Sequence, residues 1–486
     1  MKKLISVLIF VLVFISMFSS VYTAEGMAPY ENYVYSVGDG ELTVAPQAYL
    51  DEKIIYGRDL GISEFNNASD VFYDKKGNLF ILDTGNNRIV VLNVELKLEK
   101  IIDCKFILEN GNVSTLNEAK GLYVDKSGIY IADTKNARII VLDYESGELK
   151  RIINSPKSNV LDKDFLFKPI RLTVDKDGLL YVVSEGTYEG ILNFTAQGEF
   201  IGFFGVNNVT SSAWDLFWRR FSTKEQRKNM VQLVPRDFSS IDLDQNGFFM
   251  ATTYTAENNS MIKRLNPGGI DIIRSSSSVG LMGDPQAVWS GTLEGNSSFI
   301  DIASGPDNIY ACLDITRGKI FCYDNDGYML YTFGTLADRD GGFTKPCAIT
   351  YIEDKIAVLD NARGCITCFA PTDYANTLNT AIHYQRLLQY DTAAEYWNKV
   401  LGLNSNCDLA LNKFGQACYN CGEYRQAAEY FRKVNNKEMY SKAMQEIRAQ
   451  FLYDNIYIIV VAIIALYFIF KVISILKKSR GRKRIK

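Results

Sequence analysis

Residues 83–92 read DTGNNRIVVL, and DTKNARIIVL follows at 133–142. Self-similarity of this kind constrains a fold more than composition does, because each repeat must be one structural unit that buries its apolar face against its neighbours. The whole unit is a β-type run ending in Asp, a Gly turn, a second run, a polar loop and further runs. It reads DVFYDKKGNLFILDTGNNRIVVLNVELKLEKII from Asp70 and GLYVDKSGIYIADTKNARIIVLDYESGELKRII from Gly121. Further copies begin at Arg171, Ser240, Asp301 and Ala348, the later ones more degraded. Asp-Lys-x-Gly and Asn-Pro-Gly-Gly turns between β-branched and aromatic runs are hairpin chemistry.

Six units of three or four short strands predict a mainly β fold, a six-bladed β-propeller over residues 25–371 with an insertion at 207–235. The sixth unit stops at Pro371 without a fourth strand, and EKIIYG at 52–57 reads like the fourth strands LEKII and LKRII. The N-terminal strand is expected to complete the last blade, which leaves the ring no free edge. Because the aspartate and arginine of DTGNNR recur blade after blade, Asp83, Arg88, Asp133 and Arg138 are expected to fix loops. A catalytic group needs one position in one pocket.

DTGNNRIVVL after GNLFIL resembles the NHL-repeat signature over roughly residues 50–370. YVYSVGDGELTVAPQAYL and AWDLFWRRFSTKEQRKNMVQLVP are similar to stretches of a bacterial subfamily of secreted, membrane-tethered NHL proteins. That resemblance implies tetratricopeptide-like helices after the propeller and a link to carbohydrate uptake systems. The sequence carries its own sign of such helices. YDTAAEYWNKV at 390–400 and YRQAAEYFRKV at 424–434 align at a spacing of 34 residues, the tetratricopeptide period. A small helical domain is expected over 372–451, its last helix near 436–451.

Both ends carry targeting signals. Residues 1–24 combine two lysines, an apolar run and small residues, the pattern of a secretory signal peptide; an uncleaved anchor is the other reading. Residues 455–476 form an apolar stretch long enough to span a bilayer, with Lys471 near its exit. The basic tail 477–486 is expected in the cytoplasm by the positive-inside rule. The expected topology is single-pass type I in the cell membrane, with lipid contacted through the C-terminal helix. Net charge is −3, and setting aside Lys2, Lys3 and the eight cations of 471–486 leaves about −13 for the rest. An acidic outer part with no basic stripe argues against nucleic acid as a partner.

The one histidine, His383, falls in a helix, so a Ser-His-Asp or Cys-His mechanism lacks a base. No catalytic residue, metal ligand or cofactor is expected. Nine cysteines include two C-x-x-C pairs, Cys365 with Cys368 and Cys418 with Cys421, spaced too far apart for a common zinc arrangement. Buried thiols, or one or two disulfides such as Cys312 with Cys322, remain as readings. Aligned inner strands put Asp70, Gly121, Arg171, Ser240, Asp301 and Ala348 at equivalent positions facing the axis. Asp70, Arg171, Ser240 and Asp301 either bind a polar ligand in the channel or neutralise one another. In the insertion, Trp214, Phe217, Trp218 and Phe221 fall on one helical face and Arg219 and Arg220 on another. Trp214, Trp218, Arg219 and Arg220 are candidates for contacting a glycan or protein partner; the stripe packing on its own blades is the competing reading. The function expected is a tethered binding or assembly module of the cell envelope, its partner a protein, a glycan or a transport system. The alternative is a lactonase-like hydrolase or lyase with a metal in the channel.

Overall fold

The computed structural model describes residues 28–482 apart from 38–39, 75, 109–110, 162–164, 206–236, 258–259, 275–278 and 286–295. The expected signal segment and the insertion 207–235 lie outside the described residues. The chain forms two compact units, the first comprising the residues up to Tyr35 and Gly40–Asn376, the second Ser36–Asp39 and the residues from Thr377 onward.

The first unit is a six-bladed propeller. Five blades have four antiparallel strands, in sequence order in all but the last, and one has three among the described residues. The inner strands of blades 1 to 6 are Asp70–Tyr73, Gly121–Asp125, Pro169–Val174, Phe238–Leu243, Phe299–Ser304 and Pro346–Ile352. The strand Tyr49–Tyr56 closes the ring by pairing with Cys365–Pro371, placing Ile55 opposite Ile366. Second and third strands such as Leu79–Asp83 and Arg138–Leu142 are buried at almost every position, because both sheet faces pack on neighbouring blades. Each Ile, Leu or Val so buried contributes about 1.5–3 kcal/mol.

The polar residues of the repeat account for the loops. Asp83 accepts the Asn66 N–H at 2.7 Å on one carboxylate oxygen, and Asn86 and Arg88 at 2.8 and 2.7 Å on the other. Asp133 does the same with Asn117, Asn136 and Arg138. Each aspartate thus ties the loop between second and third strands to the segment that enters its own blade. The loop ends in a left-handed residue, which is Asn87, Ala137, Gly318 or Gly364 in successive copies. Ala137, at φ +50°, carries a Cβ where that conformation is disfavoured. Ala137→Gly is therefore expected to stabilise the propeller by about 0.5–1 kcal/mol, read as a raised melting temperature.

Two features depart from the repeat. In blade 4 the run after Asn-Pro-Gly-Gly does not form a fourth strand among the described residues, although Leu265 bridges Asp271 and the Ile272 N–H donates to the Arg264 carbonyl at 2.7 Å. Asp271 Oδ1 takes the Arg264 N–H at 3.1 Å, a donor that a fourth strand would need for its ladder. A hairpin of Asn32–Tyr35 and Leu42–Ala45, not anticipated from sequence, precedes the closing strand. Its Tyr33, Val34 and Tyr35 pack among Met261 and Ile262 of blade 4 and Phe321 and Tyr323 of blade 5.

The cysteine reading is corrected in one respect. The nine thiols are free, and no disulfide joins Cys312 to Cys322. Phe321 stands opposite Cys312 and Ala311 opposite Cys322, so the two thiols project from opposite faces of the sheet. Burial raises both thiol pKa values well above the usual range.

The second unit has five helices: α1 Asp373–Arg386, α2 Tyr390–Leu403, α3 Asp408–Asn420, α4 Tyr424–Lys433 and α5 Lys437–Arg482. Positions that align at the 34-residue spacing are buried in pairs: Ala393 with Ala427, Trp397 with Phe431, and Val400 with Val434. The Trp397 indole N–H donates to Gln385 Oε1 at 2.7 Å. His383 is a half-buried residue of α1. The separate last helix expected near 436–451 and the span at 455–476 are instead one continuous helix, α5. With no Pro or Gly between them, nothing interrupts its hydrogen-bond ladder. From Lys437 to Ser474, α5 is long and apolar enough to cross a membrane.

Candidate functional site

The aligned inner-strand residues do meet on the axis, by a device the repeat alone did not reveal. In blades 3 to 6 the first pair of strands shifts register just before the axial residue, between Pro169 and Arg171, Phe238 and Ser240, Phe299 and Asp301, and Pro346 and Ala348. A one-residue bulge re-aims the side chain that follows it. In blades 1 and 2 the strand begins at the axial residue itself, Asp70 or Gly121.

Arg171 is the hub. Its Nε donates to Asp301 Oδ1 at 3.3 Å, and its Nη1 lies 3.9 Å from Asp70 Oδ2. Nη2 donates to the Cys347 carbonyl at 2.9 Å, while Nη1 donates to the carbonyls of Ile170 and Lys120. One guanidinium thus reaches blades 1, 2, 5 and 6 as well as its own. Gly121 makes room for it, since a Cβ there would stand 3.1 Å from the Arg171 Cα and 2.6 Å from the Ile170 carbonyl oxygen. Asp301 also accepts Ser240 Oγ at 2.6 Å and the Ile349 N–H at 2.8 Å. Asp70 accepts the N–H groups of Val71 and Leu122 at 2.9 and 2.7 Å. The four sequence candidates form one polar plug of two carboxylates, one guanidinium and one hydroxyl, in which Arg171, Asp301 and Ser240 are hydrogen-bonded and Asp70 is joined by the 3.9 Å ion pair.

Electrostatics follow from burial. Burial opposes the Arg171 charge, but Asp70 and Asp301 outweigh it and hold the guanidinium protonated. Burial pushes the Asp70 carboxyl up to about 7, Arg171 opposing and Asp301 adding to the shift. Asp242, one layer along the same strand as Ser240, is likewise pushed up by burial, to about 6, against the N–H of Ser304 that it accepts. A carboxyl whose folded pKa is raised contributes stability that is present below its unfolded pKa, near 4, and is lost as pH rises through the folded value. The melting temperature is expected to lose that contribution between about pH 4 and 6 from Asp242, and Asp242→Asn to flatten this part of the profile.

The geometry leaves little for a metal. The oxygens of Asp70 and Asp301 already accept N–H, O–H and guanidinium donors. Among the described residues no three His, Cys, Asp or Glu side chains gather closely enough to hold an ion. Trp214, Trp218, Arg219 and Arg220 lie outside the described residues.

A second polar cluster was missed in the sequence. Asp284, fully buried, accepts the hydroxyls of Tyr33 and Tyr35 from the N-terminal hairpin. Arg317 and Lys319 stand 3.5 and 3.8 Å from the same carboxylate, and Lys319 donates to Tyr33 at 2.6 Å. Burial lowers the Lys319 pKa to about 8, Asp284 opposing. One signal was available. Lys319 holds the place of Arg88 and Arg138 in DITRGK, where the repeat breaks its pattern by adding Arg317.

Beside this cluster, at the end of the strands where interblade connections emerge, lies a cavity of about 280 Å³. Tyr254, Thr255, Asn296, Ser297 and Ser298 line it over a floor that includes Met261, Met282 and Asp284. The same face carries exposed apolar residues on loops of five blades: Ile107, Val113, Val160, Leu166, Tyr188, Tyr254, Ile315 and Leu336. Among the described turns at the opposite end only Val94 and Ile270 of the large hydrophobics are exposed.

These features define a class: a six-bladed β-propeller followed by a helical region whose last helix is able to span a membrane. No family model matches the sequence, and no curated protein matches it. Among solved structures, virginiamycin B lyase from Staphylococcus aureus is similar at 12% identity and a TM-score of 0.39, over 65% of this chain and 98% of that one. A protein of unknown function from Bacteroides thetaiotaomicron is similar at 12% identity and a TM-score of 0.42, over 70% and 76%. Hydrazine synthase from Kuenenia stuttgartiensis is similar at 10% identity and a TM-score of 0.38, over 64% and 97%. At such identities the likeness is one of fold alone.

Proposed function

We propose that this protein is a membrane-tethered binding or assembly module of the cell envelope. It recognises a protein or glycan partner through the propeller face on which the interblade connections emerge. The observation that carries this reading is the asymmetry of the two ends among the described residues, with eight large apolar residues exposed at one and two in the turns of the other. Water-exposed apolar groups held on rigid loops, with polar neighbours, are what a recognition surface offers. The insertion with Trp214, Trp218, Arg219 and Arg220 lies outside the described residues, and the residues that flank it, Gly205 and Asp237, are both at this face. In the same reading the plug of Asp70, Arg171, Ser240 and Asp301 joins blades, and α5 holds the module at the membrane in a single-pass type I arrangement.

Photo-cross-linking residues placed singly at Ile107, Leu166 and Tyr188, with Ile270 as the opposite-end control, test this in intact cells. Discrete adducts are expected from the first three and not from Ile270. Equal labelling from both ends, or none, would remove the face from consideration.

A further inference from the structure

We infer that the cavity beside Asp284 is a binding site for a neutral, hydroxyl-bearing ligand with one apolar face, of the size of a single sugar ring. The inference deepens the binding-module reading and rests on it. A void of about 280 Å³ is close to the lower end of ordinary small-ligand sites, and polar side chains share its lining with apolar ones. The lining sets the ligand class. Thr255, Asn296, Ser297 and Ser298 contribute uncharged hydroxyls and an amide to the lining, although the Ser298 proton is given to the Tyr254 carbonyl and Ser297 Oγ accepts the Asp284 N–H. The one ionised group, Asp284, has its two oxygens taken by Tyr33 and Tyr35 and its charge met by Arg317 and Lys319. It thus offers a cation no free partner, and an anion meets a carboxylate.

Against these polar groups stand Met261, Met282 and the ring of Tyr254. Tyr254 is held at the rim, where Ser298 Oγ donates to its carbonyl at 3.0 Å. The floor is rigid: Ser297 Oγ accepts the Asp284 N–H at 2.9 Å, and the Ser298 N–H donates to Asp314 at 2.9 Å. A lining that sets uncharged polar groups together with an aromatic ring and thioethers suits a pyranose, whose hydroxyls lie around its edge and whose C–H groups form a face. A site of this kind placed on rigid strand ends loses little entropy on binding.

The test is saturation-transfer NMR on the full chain, purified in a detergent without a sugar headgroup, with a panel of neutral methyl glycosides as probes. At least one is expected to receive saturation. Tyr254→Ala and Thr255→Val should each weaken that signal, the first roughly tenfold in affinity, about 1.4 kcal/mol. Both positions are exposed, so the melting temperature should stay at its wild-type value and separate loss of binding from loss of fold. The inference is overturned if no glycoside binds, or if binding survives unchanged in both variants. Should that happen while adducts still form from Ile107, Leu166 and Tyr188, the cavity assignment alone fails and the recognition face stands.

Discussion

Arg171→Ala is expected to be among the most damaging single substitutions in the propeller, lowering its stability by about 3–5 kcal/mol. The variant leaves Asp301 and Asp70 buried on the axis with their cation removed, and it frees the Cys347 and Lys120 carbonyls from their donor. The cost is the unpaired charge more than the lost attraction, and that distinction can be measured. In the double variant Arg171→Met with Asp301→Asn, the buried carboxylate goes with the guanidinium. Much of the lost melting temperature should then return. If Arg171→Ala melts within a degree of wild type, the guanidinium is not the hub described above.

Asp284→Ala is expected to cost a similar amount, about 3–5 kcal/mol, with a local signature. The hydroxyls of Tyr33 and Tyr35 lose their acceptor, while Arg317 and Lys319 lose the carboxylate that stands 3.5–3.8 Å away. The N-terminal hairpin should then detach before the ring opens. Limited proteolysis should cut first within residues 28–48 in the variant and not in the wild type. Uniform cleavage across the propeller would show that the cluster supports the blades and not the hairpin in particular.

The reach of the sequence can be judged from particular elements. The blade count, the closing strand and the axial ring were all legible, because each depends on a period or an alignment that survives substitution. The pairing of Tyr49–Tyr56 with Cys365–Pro371 followed from a missing fourth strand at one end and a spare one at the other. Ala393 with Ala427 and Trp397 with Phe431 followed from the 34-residue spacing. The sequence left each blade at three or four strands, and the pattern could not show that in blade 4 the Asp271 carboxylate takes the Arg264 N–H. The cluster around Asp284 was missed because Tyr33 and Asp284 are 251 residues apart and neither belongs to the repeat, the one signal being the added Arg317 in DITRGK.

The polar residues of DTGNNR and DTKNAR show where the division lies. That they recur was enough to assign them to loops, and the bonds of Asp83 and Asp133 to Asn66 and Asn117 agree. Whether Asp70, Arg171, Ser240 and Asp301 present charge to a ligand or spend it on one another was undecidable from sequence. Alignment gives direction but not distance, and an ion pair is decided by ångströms. Only closure of the ring brings six strand starts close enough for one arginine to serve blades 1, 2, 5 and 6. The sequence by itself therefore determined the architecture, because local periodicity governs which faces are buried. Tertiary structure alone decided which polar groups are already satisfied and which still face solvent, because that depends on contacts between residues far apart in the chain.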